Sequence, residues 1–360
     1  MSVFCLLSAT KCVKIKSYKQ KGVAEMEKLW ILRIAHFFVD FGCAFLCLGY
    51  AEDNIQFYLL IYNFCAFALQ MPLGLLVDRF GRQIRVAGAG VLLTAVTMMF
   101  RPQPLVGVIM AGCGNALFHV GGGVYVLKGC ADKCAPLGEF VAPGALGLFL
   151  GGYFTDAWPY INPLAILVLL ILAAVLLFAE HDEAAKATPT SLQSIPKKQA
   201  AALVLLFLVV VLRSAAGFQF VFSWKTGSTA LIFAMAVMTG KALGGVLSDR
   251  FGMSRTSLVS LLIGAVLFIF ADKSAVCGIL AVLCFNCTMP VTLFAACKIA
   301  KGLPGFSFGL LTFALFLGLL PSYFGFSMPD YAAWFGVGAS AVSLVLLLPG
   351  LQLIRTECEA

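Results

Sequence analysis

The chain has 360 residues, 61% of them hydrophobic and 12% charged, with a formal net charge of +8. A mean hydropathy of +0.98 excludes a water-soluble globular protein of this size, so the sequence predicts an integral membrane protein. The positive charge lies mainly in the breaks between apolar segments, and we predict no nucleic-acid partner from it.

Residues 1–28 precede the first apolar segment and are predicted to form a cytoplasmic N-terminal tail. Their short apolar start comes before scattered lysines, the reverse of the order in a secretory signal. Lys21-Gly22-Val23 can be encoded by a purine-rich ribosome-binding sequence just upstream of Met26, where MEKLWILRIAHFF begins. We expect the native bacterial protein to start at Met26, and a native tail from Met1 is the alternative.

Twelve apolar segments follow, most of them near the roughly 20 residues that a helix needs to cross a bilayer core. The predicted fold class is therefore an all-α integral membrane protein with twelve transmembrane helices. The predicted spans are 29–50, 54–77, 86–101, 104–127, 136–155, 160–179, 201–224, 226–247, 256–271, 274–297, 303–325 and 331–354.

The basic residues predict how the chain is oriented. Nineteen of the 25 Lys and Arg fall on one side of the predicted topology, and only Arg101, Lys225 and Lys273 fall on the other. Basic loops stay in the cytoplasm, so both termini are expected there. The prediction is a multi-pass protein of the bacterial inner (cytoplasmic) membrane, with the lipid bilayer as its surroundings.

A polar stretch at 180–200 divides the helices into predicted six-helix bundles at 29–179 and 201–355. Gly74 to Val86 reads GLLVDRFGRQIRV, and 171 positions later Gly245 to Thr256 reads GVLSDRFGMSRT. Asn115 and Asn286 match at the same offset. The two halves are therefore predicted to be pseudo-repeats, an arrangement that recurs in transporters.

The repeated stretch resembles the signature loop of the major facilitator superfamily, with Met253 in place of a basic residue in the second copy. The resemblance implies that family's fold, a monomer, and alternating access to a small-molecule substrate. It also implies a conformational latch, in which each Asp accepts hydrogen bonds from a facing helix N-terminus. The predicted latch residues are Gly74, Asp78, Arg79, Gly81, Arg82, Gly245, Asp249, Arg250 and Gly252.

Ionisable groups inside a bilayer are costly, so those within the spans are candidate functional residues. Arg33, His36 and Asp40 share one face of the first helix at spacings i, i+3 and i+7. The resemblance implies that helices 1, 4, 7 and 10 line the transport cavity. The predicted substrate and proton pathway comprises Arg33, His36, Asp40, Asn115, His119, Glu139, Arg213, Lys241 and Asn286.

Asp40 and His36 suit proton coupling, since a carboxylate or imidazole in a helix bundle can exchange a proton when its surroundings rearrange. Arg213 and Lys241 make the pathway slightly positive, which favours an anionic or zwitterionic substrate. We expect no cofactor and no metal site. Cys43 and Cys47, which share a helical face near Asp40, are interpreted as small apolar residues.

Three short stretches, AHFFVDF from Ala35, GNALFHVGGG from Gly114 and LRS from Leu212, resemble the fosmidomycin-resistance-like efflux branch. Pro143-Gly144 departs from that branch and partly resembles a motif of drug-proton antiporters. The resemblance favours proton-coupled efflux, and uptake of a metabolite is the alternative. A sensor or channel is the alternative from another class. An enzyme is not expected, and H-E-x-x-H is absent from the sequence.

Overall fold

The computed structural model describes residues 27–50, 54–129, 132–178 and 195–355. Within these ranges the chain is almost entirely α-helical, with a few 3-10 and π turns and no strand. The predictions for residues 1–26 and for most of the 180–200 stretch lie outside the described residues.

Twelve helices occur in the described part of the chain, and each corresponds to one predicted span. They are α1 Glu27–Leu48, α2 Ile55–Phe80, α3 Gln83–Phe100, α4 Pro104–Gly129, α5 Ala135–Tyr153, α6 Trp158–Phe178, α7 Lys197–Gln219, α8 Gly227–Phe251, α9 Met253–Phe268, α10 Ala275–Ile299, α11 Pro304–Tyr323 and α12 Ala332–Arg355.

Eleven of these helices are long and apolar enough to cross a membrane, and α9, with 16 residues, is shorter. Large apolar side chains cover the outside of the molecule, as Phe178 at 85% exposure and Val345 at 70% illustrate. Such a surface is stable against lipid and unstable against water.

The observed helix ends differ from the predicted ones by a few residues, for local reasons. Gly81 and Gly252 have φ of +73° and +87°, a backbone region that favours glycine. These glycines form tight turns after α2 and α8, so α3 and α9 each begin three residues earlier than predicted.

Three of the long helices are interrupted along their length. Proline has no N–H to donate to the preceding turn, so Pro143 breaks α5 after Val141 and Pro290 follows an irregular residue at Cys287 of α10. In α2 a π turn at Phe64–Ala68 precedes Pro72. Two of these breaks, in α5 and α10, fall in helices that carry candidate pathway residues.

The first six helices contact the last six chiefly through two helix pairs, α2 with α11 and α5 with α8, and α4 also contacts α11 and α5 also contacts α10. Gly74 of α2 lies directly against the backbone of Gly305 in α11, and a methyl group on either glycine would overlap the other's carbonyl. Small residues thus allow the backbones to touch, as is common between membrane helices.

Candidate functional site

Four polar residues of α1 and α4 meet in the interior and form what we call the His–Asp cluster: His36, Asp40, Asn115 and His119. His36 and Asn115 are each only 3% exposed, and His119 is 8% exposed. Helical spacing places the two members from each helix on one face, since i and i+4 residues are neighbours there.

Short distances join the four side chains. His36 Nε2 lies 2.9 Å from His119 Nε2 and 3.4 Å from Asp40 Oδ2. His119 Nε2 lies 3.7 Å from Asp40 Oδ1, which accepts a hydrogen bond of 2.8 Å from Asn115 Nδ2. The two imidazoles and the carboxylate therefore share one small space.

One hydrogen bond assigns the tautomer of neutral His119. Its Nδ1 lies 2.9 Å from the carbonyl oxygen of Asn115, which can only accept, so Nδ1 carries the proton. His119 Nε2 then presents a lone pair to His36 and Asp40. Neutral His36 can donate to that lone pair through its own Nε2.

The cluster is enclosed by aromatic rings and by α5. The His36 ring lies 5.7 Å from the Phe118 ring and 4.9 Å from the Phe140 ring, measured between centroids. Gly144 of α5 lies so close that a methyl group there would overlap His36 Nε2 and Asp40 Oδ2. Gly144 directly follows the proline break in α5, so the break lies beside the cluster.

Two predicted pathway residues pair with each other away from the cluster. Arg33 of α1 forms an ion pair and hydrogen bond with Glu139 of α5. The Arg33 guanidinium also lies 4.4 Å from the centre of the Trp30 ring. Arg33 lies about two helical turns from Asp40 along α1.

One cation from the last six helices lies near the cluster, and a second lies near the first. Arg213 of α7 is 8% exposed, and its Nη1 lies 3.4 Å from Thr292 Oγ1 in α10. Half-buried Lys241 of α8 is close enough to both Asp40 and Arg213 for electrostatic interaction. Thr292 was not identified from the sequence, because its role depends on the fold of α10.

Asn286 lies elsewhere than its pseudo-repeat partner Asn115. Its Nδ2 donates to Val282 of its own helix at 2.8 Å, and its Cβ faces Gly240 of α8. In the described part of the chain no hydrogen bond joins Asn286 to the His–Asp cluster.

The two repeated aspartates make equivalent contacts, which we call the gate contacts. Asp78 accepts hydrogen bonds of 2.8 Å from the backbone N–H groups of Gly305 and Phe306, at the start of α11. Asp249 accepts from the N–H groups of Cys134 and Ala135, at the start of α5, at 2.6 and 3.0 Å. Each carboxylate therefore binds the N-terminus of a helix from the other half of the sequence.

The other predicted latch residues surround these contacts. Gly245 lies against Cys134 and Ala135, as Gly74 lies against Gly305. Arg79 and Arg250 lie over the rings of their neighbours Phe80 and Phe251. The remaining members are turn residues: Gly81, Arg82 with φ of +58°, and Gly252.

The same end of the molecule carries an ion pair that was not identified from the sequence. Asp132, in the loop before α5, pairs with Lys298 near the end of α10. Lys298 lowers the pKa of this fully exposed carboxyl below its ordinary value. One loop charge and one charge at a helix end gave no spacing signal in the sequence.

Comparisons with solved structures identify the fold. A variant of the E. coli fucose:proton symporter FucP matches with a TM-score of 0.62 at 12% identity, over 90% of this chain and 98% of that one. FucP in an outward conformation gives 0.61 at 12% identity, with the same coverage. A bacterial homologue of the iron transporter ferroportin, outward-facing, gives 0.57 at 13%, over 92% and 99%.

The chain therefore has the major facilitator superfamily fold, and the predicted fold class is confirmed. No protein-family model matches the sequence, and no curated protein matches it either.

Proposed function

We propose that the protein is a secondary active transporter that works by alternating access and exports a small anionic or zwitterionic organic compound in exchange for protons. The single observation that carries the proposal is the His–Asp cluster with Lys241 and Arg213 facing it across the two halves of the chain. The fold supports the transport class, and the efflux direction is taken from the sequence resemblance.

The cluster supports proton coupling. Asp40 touches two imidazoles and one amide. A shared proton can be carried by either imidazole or by the Asp40 carboxylate. Burial without a fixed cation would make the carboxylate costly, so its protonation responds to whatever approaches it. An approaching substrate anion and a departing proton are therefore linked electrostatically.

The two cations support an anionic substrate. Arg213 is buried in α7, and among the described residues its side-chain hydrogen-bond partner is the neutral hydroxyl of Thr292. A buried guanidinium paired only with neutral groups favours the binding of an anion. Lys241 adds a second positive charge close to both Arg213 and the carboxylate.

The gate contacts support alternating access. In this conformation they join α2 to α11 and α5 to α8 at one end of the molecule. A hydrogen bond to a charged group contributes about 1.5–3 kcal/mol. Opening this end therefore requires that substrate or protons bind the open conformation more tightly than the closed one, by a free energy of similar size. We assign this end to the cytoplasm and the two six-helix bundles to the moving units.

The test is proton movement in vesicles containing the purified full chain, on addition of small carboxylates and phosphonates. Asp40→Asn is compared with the wild type, and Asp330→Asn is the matched control because Asp330 lies in an exposed 3-10 turn outside the pathway. We expect substrate-evoked proton movement in the wild type and in the control, and none in Asp40→Asn.

The same vesicles separate the alternatives. Equal proton movement in Asp40→Asn and the wild type would refute the coupling role of Asp40. Substrate accumulation on the side toward which the protons flow would mean that the two move together, and the proposal of efflux would be replaced by uptake. Substrate binding without any concentrative movement would favour a sensor or channel.

A further inference from the structure

The His–Asp cluster contains a complete set of ligands for a metal ion. His36, His119 and Asp40 each offer one nitrogen or oxygen, and these three atoms lie within 4.8 Å of one another. Two imidazoles and one carboxylate form a common ligand set for divalent transition metals.

The distances can reach those of a tetrahedral ion by small side-chain movements. Ligand atoms about 2.0–2.1 Å from such an ion are roughly 3.3 Å apart. His36 Nε2 lies 3.4 Å from Asp40 Oδ2, and His119 Nε2 lies 3.7 Å from Asp40 Oδ1, the other oxygen of the same carboxylate. The two Nε2 atoms, 2.9 Å apart, have to separate, and the carboxylate has to turn one oxygen toward both of them.

The hydrogen bonds around the cluster are those that orient metal ligands. His119 Nδ1 donates to the Asn115 carbonyl, so its Nε2 lone pair is fixed toward the other two side chains. Asn115 Nδ2 holds one oxygen of Asp40. In the described residues His36 Nδ1 is buried and has no partner, so metal binding through Nε2 moves the His36 proton to a site without an acceptor, a cost that the metal bond has to offset.

A second observation points to a missing cation. The amide oxygen of Asn115 is buried and has no hydrogen-bond donor among the described residues. A buried acceptor without a donor is costly. An ion beside Asp40 would give this oxygen a positive charge to face.

The neighbouring charges indicate the chemical form in which the ion binds. Lys241 interacts electrostatically with Asp40 and His119, and also with Arg213. Arg33 is neutralised by Glu139. The single carboxylate of Asp40 does not balance a divalent ion together with Lys241 and Arg213, so an anion has to accompany the metal.

We propose that His36, Asp40 and His119 bind a divalent transition-metal ion as part of the transported substrate, a complex of the metal with a small organic anion. This inference rests on the proposed function and gives its substrate class. The ion is cargo: the three side chains supply two nitrogens and one oxygen, and the anion binds toward Lys241 and Arg213.

The test uses Co²⁺, whose visible absorption reports tetrahedral nitrogen and oxygen ligands, titrated into the purified full chain with and without citrate. The chain has three histidines, so His181→Gln is a matched control for His36→Gln and His119→Gln. We expect the wild type to bind Co²⁺ and citrate together. Either cluster variant should weaken Co²⁺ binding by more than about 100-fold, beyond the 10–100-fold that outer-shell changes cause.

A measurement on the wild type alone avoids reliance on folded variants. X-ray absorption of the Co²⁺ bound with citrate should show two imidazole ligands about 2.0–2.1 Å from the metal. Bound Co²⁺ without imidazole ligands, or equal Co²⁺ binding in His181→Gln and the cluster variants with all of them folded, would overturn the inference. So would Co²⁺ bound in citrate with no citrate bound beside it.

The binding test and the transport test fail separately. Proton-coupled movement of a metal-free anion, with no Co²⁺ bound at the cluster, would refute the metal complex and leave the proposed function standing. Co²⁺ bound at the cluster without any transport would refute the proposed function. In that case the site would remain, and its assignment as cargo would be overturned.

Discussion

Gly144 controls the space around the His–Asp cluster. It has no side chain, and it occupies the only approach of α5 to both His36 Nε2 and Asp40 Oδ2 that the described contacts show. Its neighbour Pro143 interrupts the helix, so the backbone at this point is not held by a regular hydrogen-bond ladder. A movement of α5 at this point would therefore displace the side chains of the His–Asp cluster.

We predict that Gly144→Ala reduces substrate-evoked proton movement while the protein still folds. The added methyl overlaps both side chains, and overpacking of this kind costs about 1–3 kcal/mol. The measurement is vesicle proton flux, with thermal stability as the check on folding. Gly338→Ala is the matched control, because nothing lies within 4 Å of a methyl group at that position.

A proton flux unchanged by Gly144→Ala would show that the cluster tolerates displacement and that α5 does not act on it. The same loss in Gly338→Ala would assign the effect to helix glycines in general.

At this scale the sequence predicted residues but not their pairing. Arg33, His36 and Asp40 follow helical spacing, so their common face was predictable. The meeting of His36 with His119, 83 positions apart, depends on how α1 packs against α4, which no local pattern contains. Asn286 repeats Asn115 in sequence, but its amide donates within its own helix and its Cβ faces Gly240 of α8.

Helix N-termini determine how the elements close on each other. The gate contacts use amides that an isolated helix leaves without partners, so the aspartates complete α11 and α5 as well as joining them to α2 and α8. The sequence located both aspartates by their repeat. It did not identify Gly305, Phe306, Cys134 or Ala135, since backbone donors have no sequence signal.

We predict that Asp78→Asn speeds hydrogen exchange at the Gly305 and Phe306 amides. Losing charge on the acceptor removes on the order of 1.4 kcal/mol, which corresponds to about tenfold faster exchange. The measurement is exchange detected by mass spectrometry. The peptide containing Cys134 and Ala135 is the internal control, because those amides bind Asp249 instead.

Asp249→Asn should reverse the pattern, with faster exchange at Cys134 and Ala135. If either substitution speeds both peptides equally, the two contacts open together and are one cooperative gate. If neither substitution changes exchange, the carboxylates do not hold these helices.

The exposed pair between Asp132 and Lys298 should matter less. Because the pKa of Asp132 is lowered in the folded protein, its contribution is present above the unfolded pKa of about 3.9 and is lost as pH falls through the folded value. At neutral pH we expect Asp132→Asn to change exchange at Gly305 and Phe306 less than Asp78→Asn does, since solvent screens the pair. A larger change than that of Asp78→Asn would contradict this order.

At the scale of the whole molecule, hydropathy and the repeat were enough to predict twelve helices in two halves, and the fold followed from the resemblance of the repeated stretch to a known signature loop. Helix count depends on segment length, and the pseudo-repeat depends on a spacing of 171 residues, so both are visible in one chain. Helix breaks at Pro143 and Pro290 were not predicted as breaks. The broken helices α5 and α10 are still long enough to span a membrane, so the breaks do not interrupt the hydropathy pattern.

We predict that alkaline phosphatase fused after Lys273 is active and that the same enzyme fused after Arg255 is inactive. The reason is that Lys273 lies in a predicted outer loop, whereas Arg255 lies near a basic turn that is expected to stay in the cytoplasm. Phosphatase activity in whole bacterial cells is the measurement. The opposite pattern would invert the molecule in the membrane and place the gate contacts outside.

The gate contacts also bear on how this protein can vary over generations. Each contact has an aspartate on one side and main-chain amides on the other, and every residue except proline supplies the same amide. Substitution of Phe306, Cys134 or Ala135 thus leaves the donor in place, whereas a change at Asp78 or Asp249 removes the acceptor. Retention of the gate contacts therefore depends on the codons for Asp78 and Asp249. The donor positions at the starts of α11 and α5 can change wherever packing allows.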